Sequence, residues 1–152
     1  MKGTSYSFLT LALFFSCTSP ADQEGTYTPE DLDRRELLRY QQYLVEGKKL
    51  YKLYCENCHQ ADGKGLAKLY PPLAGSDYLK ENIDQLPCII LGGMDGEITV
   101  NAITFNMKMD GNPTLNPLEI AEITNYVANS WGNESGFLNV QKIQTRLDAC
   151  AP

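Results

Sequence analysis

Apolar residues recur at helical spacing through the first half of the chain. Leu37, Leu44 and Tyr51 fall on one face of a continuous helical pattern, which is typical of a helix that buries one side. Thr28 precedes a proline and two acidic residues, and a hydroxyl cap, a proline in the first turn and acids near the positive end all favour a helix start. The pattern therefore predicts a helix over residues 29–54.

The second half of the chain contains three further helical patterns. Ser76 would cap a helix over residues 77–91, whose apolar side is formed by Leu79, Ile83, Leu86 and Ile90. Pro87 leaves the second half of this helix open. Asn116, followed by proline and by Glu119, predicts a capping box at the start of a helix that ends near residue 131. Residues 140–147 predict a short last helix.

Between these helices, residues 97–105 alternate between apolar and polar positions, which indicates a small β-hairpin. Ala102 lies where the turn would be, and alanine is poorly suited to the positive φ of a two-residue turn, so we expect a turn of another type. The sequence thus predicts an all-α fold with a short β-hairpin.

The first residues form an export signal. A short basic start is followed by the apolar run Phe8–Phe15, which is too short to span a bilayer as a permanent helix. Cys17 follows a small residue at the end of this run, as in the processing site of a bacterial lipoprotein. We therefore expect residues 1–16 to be a signal peptide, Cys17 to carry lipid and residues 17–28 to form a polar tether; ordinary cleavage nearby is the alternative.

The remaining chain is long enough for one small domain. We place that domain at residues 29–133 and a C-terminal extension at residues 134–152. The formal net charge is −6, and an acidic total makes nucleic acid an unfavourable partner.

The strongest chemical signal is the pentapeptide Cys55-Glu56-Asn57-Cys58-His59. A C-x-x-C-H sequence is typical of covalent attachment of a c-type haem, whose vinyl groups take up the two thiols while the histidine binds the iron. His59 is the only histidine in the chain. A zinc site would require four converging ligands, and a redox-active dithiol would require a βαβ context, so both alternatives fit less well.

Two cysteines remain, Cys88 and Cys150. Outside the cytoplasm such a pair commonly forms a disulfide. We predict this bridge, with two separate buried thiols as the alternative. Closing a loop of this length stabilises a domain by roughly 4 kcal/mol in the chain-entropy model.

The chain resembles the class I (mitochondrial-type) cytochromes c, especially the single-haem proteins of the bacterial periplasm. The resemblance covers about residues 44–133 and rests on features in the expected order: Gly47, Tyr51, the haem motif, Gly63, Gly65, Pro71-Pro72-Leu73, a methionine well beyond the histidine, Tyr126 and Trp131.

The resemblance implies several roles. The helix with Gly47 should cross the helix with Tyr126, the Pro71 carbonyl should accept a hydrogen bond from His59, and Leu73 should pack on the haem. A methionine should be the sixth iron ligand, and the absence of a second histidine points the same way.

Three methionines are candidates for this ligand, and we rank Met109 before Met107 and Met94. Met109 lies where the family usually has a Met-Pro pair, although Asp110 replaces the proline. Met94 lies between glycines before the hairpin, which leaves little chain to cross a haem.

The sequence therefore predicts a single-haem electron carrier with His/Met ligation, neither an enzyme nor a binder of small substrates, lipid-anchored on the periplasmic side of a bacterial membrane. The alternatives are a haem subunit of a larger oxidase or dehydrogenase complex and, less favoured, a haem sensor or peroxidase whose methionine dissociates. Lys64, Lys68 and Lys108 suggest a basic rim around the haem edge, with ordinary solvated lysines as the alternative.

Overall fold

The computed structural model describes residues 28–150. Its helices are α1 (Arg34–Tyr54), α2 (Glu56–His59), α3 (Asp77–Glu81), α4 (Leu86–Gly92), α5 (Pro117–Ala128) and α6 (Val140–Asp148). Its strands are β1 (Gly93–Met94), β2 (Ile98–Val100), β3 (Ile103–Phe105) and β4 (Met109–Asp110). The predicted mostly helical fold with a short hairpin is confirmed. No helix within residues 28–150 is long and apolar enough to cross a membrane.

Helix α1 begins later than the sequence pattern predicts. Asp33 is its N-cap, and the carboxylate accepts hydrogen bonds from the N–H groups of Arg35 and Glu36, in a capping box with Glu36. Thr28 instead closes a separate turn, because its hydroxyl donates to Asp31 at 2.7 Å. The predicted start at residue 29 is therefore wrong.

Helices α1 and α5 make the central contact of the fold. Gly47 lies so close to α5 that a Cβ atom at this position would be 2.0 Å from the Glu122 carbonyl oxygen and 2.8 Å from the Tyr126 Cβ. Helix α1 continues through Gly47 without a break. Beside this contact, the rings of Tyr51, Tyr126 and Trp131 form a cluster with centroids 5.1–5.4 Å apart.

The helix predicted over residues 77–91 is divided into α3 and α4. Asn82 caps the C-terminus of α3, and its side-chain amide donates to the Tyr78 carbonyl at 2.8 Å. Pro87 lies in the first turn of α4, where its missing N–H costs nothing, whereas inside one long helix it would remove a hydrogen bond. The prediction of one continuous helix is wrong for this reason.

Strands β2 and β3 form the predicted hairpin, with Val100 paired to Ile103. The turn residues Asn101 and Ala102 both have positive φ, 50° and 61°, which is the pattern of a type I′ turn. The expectation of another turn type is wrong. Two hydrogen bonds stabilise the turn: the Asn101 amide oxygen accepts from the Asp77 N–H, and the backbone N–H of Asn101 donates to the Asp77 carboxylate.

The segment after α5 packs against the domain as part of the same core. Phe137, Leu138 and Ile143 are each at most 4% exposed. The Phe137 ring packs edge-on against Tyr40 and Tyr43 of α1, at centroid distances of 5.7 and 5.4 Å. Residues that the sequence assigned to an extension therefore complete the hydrophobic core.

A disulfide joins Cys88 of α4 to Cys150 just beyond α6, which is the pairing that the sequence predicts. Arg146 of α6 also forms an ion pair with Asp84, which lies shortly before α4. Helix α6 is thus joined covalently to α4 and by an ion pair to the turn before α4.

Candidate functional site

The cysteine and histidine side chains of the pentapeptide are brought together where α1 gives way to α2. Cys55 caps the end of α1 and begins α2, whose single turn carries Cys58 and His59. The backbone N–H of His59 donates to the Cys55 carbonyl at 3.0 Å. Since α2 is one turn long, all three side chains line the same cavity.

The ring of His59 is fixed by a loop on its outer side. Its Nδ1 lies 3.0 Å from the Pro71 carbonyl oxygen, and because a carbonyl only accepts, Nδ1 carries the proton and Nε2 keeps a free lone pair. Burial lowers the pKa of His59, while the Pro71 carbonyl acts in the opposite direction. A neutral imidazole with a free nitrogen is the form that binds a metal.

The loop that presents Pro71 is held by tight backbone contacts. The Gly65 N–H donates to the His59 carbonyl at 3.0 Å, and the Leu73 N–H donates to the Gly63 carbonyl at 2.7 Å. A Cβ on Gly65 would lie 2.2 Å from the Tyr70 carbonyl oxygen. Asn133 closes the loop from the far end of α5 by donating to the Leu73 carbonyl at 2.8 Å.

The cavity has a volume of about 340 Å³. Most of its surface is apolar, with contributions from the loop after His59, from α3, α4 and α5 and from the β2–β3 hairpin: Leu73, Leu79, Leu86, Ile89, Ile90, Ile98, Val100, Phe105, Ile123 and Val127. The predicted residues Pro71, Leu73 and Met109 all line it, together with Cys55, Cys58 and His59. Cys88 and Cys150 do not line it, and Cys17 lies outside the described residues.

The three candidate methionines also line the cavity, and two of them are paired. Strand β1 lies antiparallel to β4, so that Met94 is directly opposite Met109. The Met94 sulfur accepts a hydrogen bond from the Tyr78 hydroxyl at 3.5 Å, whereas Met107 is 46% exposed. The sequence predicts a loop at Met107–Met109. The pairing of β1 with β4 and the hydrogen bond from Tyr78 to Met94 were not predicted from it.

Comparison with known proteins explains this arrangement. The family model named Cytochrome c matches residues 44–131. The chain belongs to the cytochrome c family.

The relatives are of two kinds. A cytochrome c-552 of Thermus thermophilus is 34% identical over 93 residues, which cover 59% of this chain and 70% of the relative. The cytochrome c subunit of a quinone alcohol dehydrogenase of Gluconacetobacter polyoxogenes is 30% identical over 133 residues, 85% of this chain but 28% of the relative. The cytochrome subunit of a fructose dehydrogenase of Gluconobacter japonicus is 31% identical over 105 residues, which cover 21% of the relative.

This cytochrome binds one haem c covalently and transfers electrons without catalysing a reaction of its own. The residues of the cavity fit that group. Cys55 and Cys58 are free thiols, not joined to each other, and His59 offers a neutral nitrogen beside them. Among residues 28–150 no three His, Cys, Asp or Glu side chains are grouped to hold a metal ion.

Two of the three lysines suggested for a basic rim are paired with carboxylates. Lys64 lies 3.0 Å from the Asp62 carboxylate, and Lys108 lies 3.8 Å from that of Asp110. All four side chains are more than half exposed, so each pair contributes little to stability but does offset the local positive charge. The apolar side chains of Leu66 and Leu69, which are 48% and 41% exposed, lie in the same loop as Lys64.

Proposed function

We propose that Cys55 and Cys58 form the two thioether bonds to the haem and that His59 and Met109 are its axial ligands. The observation that supports this most is the fixed imidazole of His59 in the same apolar cavity as Met109. The haem supplies an iron that cycles between Fe(II) and Fe(III), and His/Met ligation favours a high potential. The residues of the cavity would orient the two ligands and exclude water from the iron.

The surroundings of the three methionines favour Met109 as the sulfur ligand. Met107 is 46% exposed, and a side chain so open to water is poorly placed for a buried iron. The Met94 sulfur already accepts a hydrogen bond from Tyr78. Met109 is half-buried, and its backbone is fixed by pairing with β1.

Substitution of the methionines tests this assignment. We expect Met109→Ala to abolish the far-red charge-transfer band of the oxidised protein and Met107→Ala to leave it at full intensity, because only the former removes the sulfur from the iron. The visible spectrum of each purified, haem-loaded variant is the measurement. Loss of the band in Met107→Ala with retention in Met109→Ala would overturn the ranking.

We further propose that electrons enter and leave through the face that carries Leu66 and Leu69. These side chains lie next to the haem-attachment segment, because Leu66 and Tyr70 form an isolated β-bridge and Tyr70 lines the cavity with Cys58. With the neighbouring lysine offset by Asp62, an apolar contact fits this face better than a basic rim does.

The location of the protein is proposed from the sequence. Bacterial c-type cytochromes are typically exported, and we propose that Cys17 is lipidated and anchors this one at the periplasmic side of a membrane. Replacement of Cys17 by Ala should move the mature cytochrome from the membrane fraction to the soluble periplasmic fraction. Its retention in the membrane fraction after a salt wash would contradict lipid anchoring through Cys17.

The second candidate role is that of a haem subunit in a larger oxidoreductase complex. The dehydrogenase cytochrome subunits favour it, because one of them aligns with 85% of this chain. Gel filtration of a mild detergent extract distinguishes the roles: a free carrier elutes as a small species, whereas a subunit elutes together with dehydrogenase or oxidase activity.

A further inference from the structure

The disulfide lies on the outer side of a helix that forms one wall of the haem cavity. Leu86, Ile89 and Ile90 of α4 line the cavity, while Cys88 on the same helix reaches Cys150 beyond α6, at a Cα separation of 5.6 Å. The bridge therefore holds α4 against the end of α6 without lining the cavity itself.

Helix α4 leads directly into the strand that supports Met109. It ends at Gly92, and β1 begins at Gly93 without an intervening loop. Strand β1 pairs Met94 with Met109. In the described part of the chain, β1 is the strand with which β4 pairs.

A second set of contacts ties the residues after Met109 to α4. The Asn112 N–H donates to the Ile90 carbonyl at 2.9 Å. A Cβ atom on Gly111 would lie 2.4 Å from the Gly92 carbonyl carbon and 2.5 Å from the Gly93 nitrogen. The segment is therefore tied to β1 at Met109 and to the end of α4 at Gly111 and Asn112.

The charge of Asp110 does little to stiffen this segment. Asp110 replaces the proline that usually follows the ligand in the family, and within residues 28–150 its carboxylate pairs with the exposed Lys108, at 3.8 Å. A salt bridge of this kind in water contributes little. The contacts that place the Met109 backbone are therefore the pairing with β1 and, through Gly111 and Asn112, the end of α4.

We propose that the Cys88–Cys150 disulfide is a positioning element for the sixth haem ligand. By fixing α4 on α6 it fixes β1, and through β1 it keeps Met109 in place to bind the iron. This inference rests on the proposed assignment of Met109. It predicts that loss of the bridge lowers the strength of methionine ligation under conditions in which the protein stays fully folded.

The test is competition between Met109 and added imidazole in the oxidised, full-length, haem-loaded protein. In Cys88→Ser/Cys150→Ser we expect imidazole to displace the methionine at concentrations at least about tenfold lower than in the wild type, with a matching loss of the far-red band. Gly111→Ala, which disrupts the contact with α4 while leaving the bridge intact, should show the same change.

Phe137→Leu is the matched control, because it loosens the extension where it packs on Tyr40 and Tyr43 rather than on α4. Its imidazole affinity should stay within about twofold of the wild type although its unfolding midpoint falls. An equal rise in Phe137→Leu would overturn the proposal, since the effect would then follow overall stability. An unchanged affinity in the double serine variant would overturn it as well.

If the double serine variant does not accumulate, the folded wild type offers the same comparison after reduction with a dithiol and alkylation. The dithiol gives two electrons and two protons to the sulfurs, which become two thiols, and is itself oxidised to a disulfide. Ferricyanide then restores the oxidised iron for the imidazole titration. Failure of the ligand assignment is recognised separately, because Met109→Ala would then keep its far-red band whatever the state of the bridge.

Discussion

At the scale of single residues, Gly47 determines how closely α1 and α5 approach. The backbone of α5 occupies the space where a side chain would begin. Glycine lowers helix stability by about 1 kcal/mol relative to alanine, and the close approach that it permits is the compensating gain.

We expect Gly47→Ala to lower the free energy of unfolding by about 2–3 kcal/mol, despite the better helix propensity of alanine, because the added Cβ would force the two helices apart. Denaturant unfolding followed by far-UV circular dichroism is the measurement. Gly92→Ala is the control, since a Cβ there meets nothing within 4 Å. Equal stability of the two variants would show that the Gly47 contact does not limit the approach.

Residues whose chemistry depends on local spacing could be predicted from the sequence. The haem motif fixes Cys55, Cys58 and His59 within one helical turn, so their joint position needs no knowledge of the fold. Ala102 could not be predicted to have positive φ, because the pairing of β2 with β3 and the hydrogen bonds between Asn101 and Asp77 impose it.

At the scale of elements, long amphipathic helices were predictable and short elements were not. Helix α5 shows its capping box in the sequence, and the structure contains it. Strands β1 and β4 have two residues each, too few for any alternation to appear. Their pairing depends on the contact between Gly111 and the end of α4, which no local pattern records.

The segment after α5 packs into the same core as α1 through Phe137. We expect Phe137→Ala to lower the free energy of unfolding by about 3–5 kcal/mol, the usual range for truncating a buried phenylalanine. Thermal unfolding of the oxidised protein measures this, and Gln141→Ala, on the exposed side of α6, should change it by less than about 0.5 kcal/mol. Similar values for both variants would mean that the segment is only loosely attached.

At the scale of the whole molecule, net acidity outweighs the few lysines near the haem cavity. The formal charge is −6, and Lys64 and Lys108 are each paired with a carboxylate. A small anionic oxidant should therefore be repelled over the whole approach to the haem edge.

We expect oxidation of the reduced cytochrome by ferricyanide to become at least about twofold faster between low and physiological ionic strength, because salt screens this repulsion. Stopped-flow rates at several salt concentrations are the measurement. Hexaammineruthenium(III), a cationic oxidant, is the control and should become slower. If salt slowed ferricyanide instead, the basic rim suggested by the lysines would be the better description.

The contact of Phe137 with Tyr40 and Tyr43 also bears on how the chain folds. It joins the first half of α1 to a segment beyond α5, and such distant contacts require a large loop to close before any packing energy is gained. The core around these tyrosines can therefore form only after the segment that carries Phe137 has docked. Until then the haem-bearing end of α1 can fold, while Tyr40 and Tyr43 at its other end remain in water. We therefore expect the first half of α1 to order late and its docking with Phe137 to limit the folding rate.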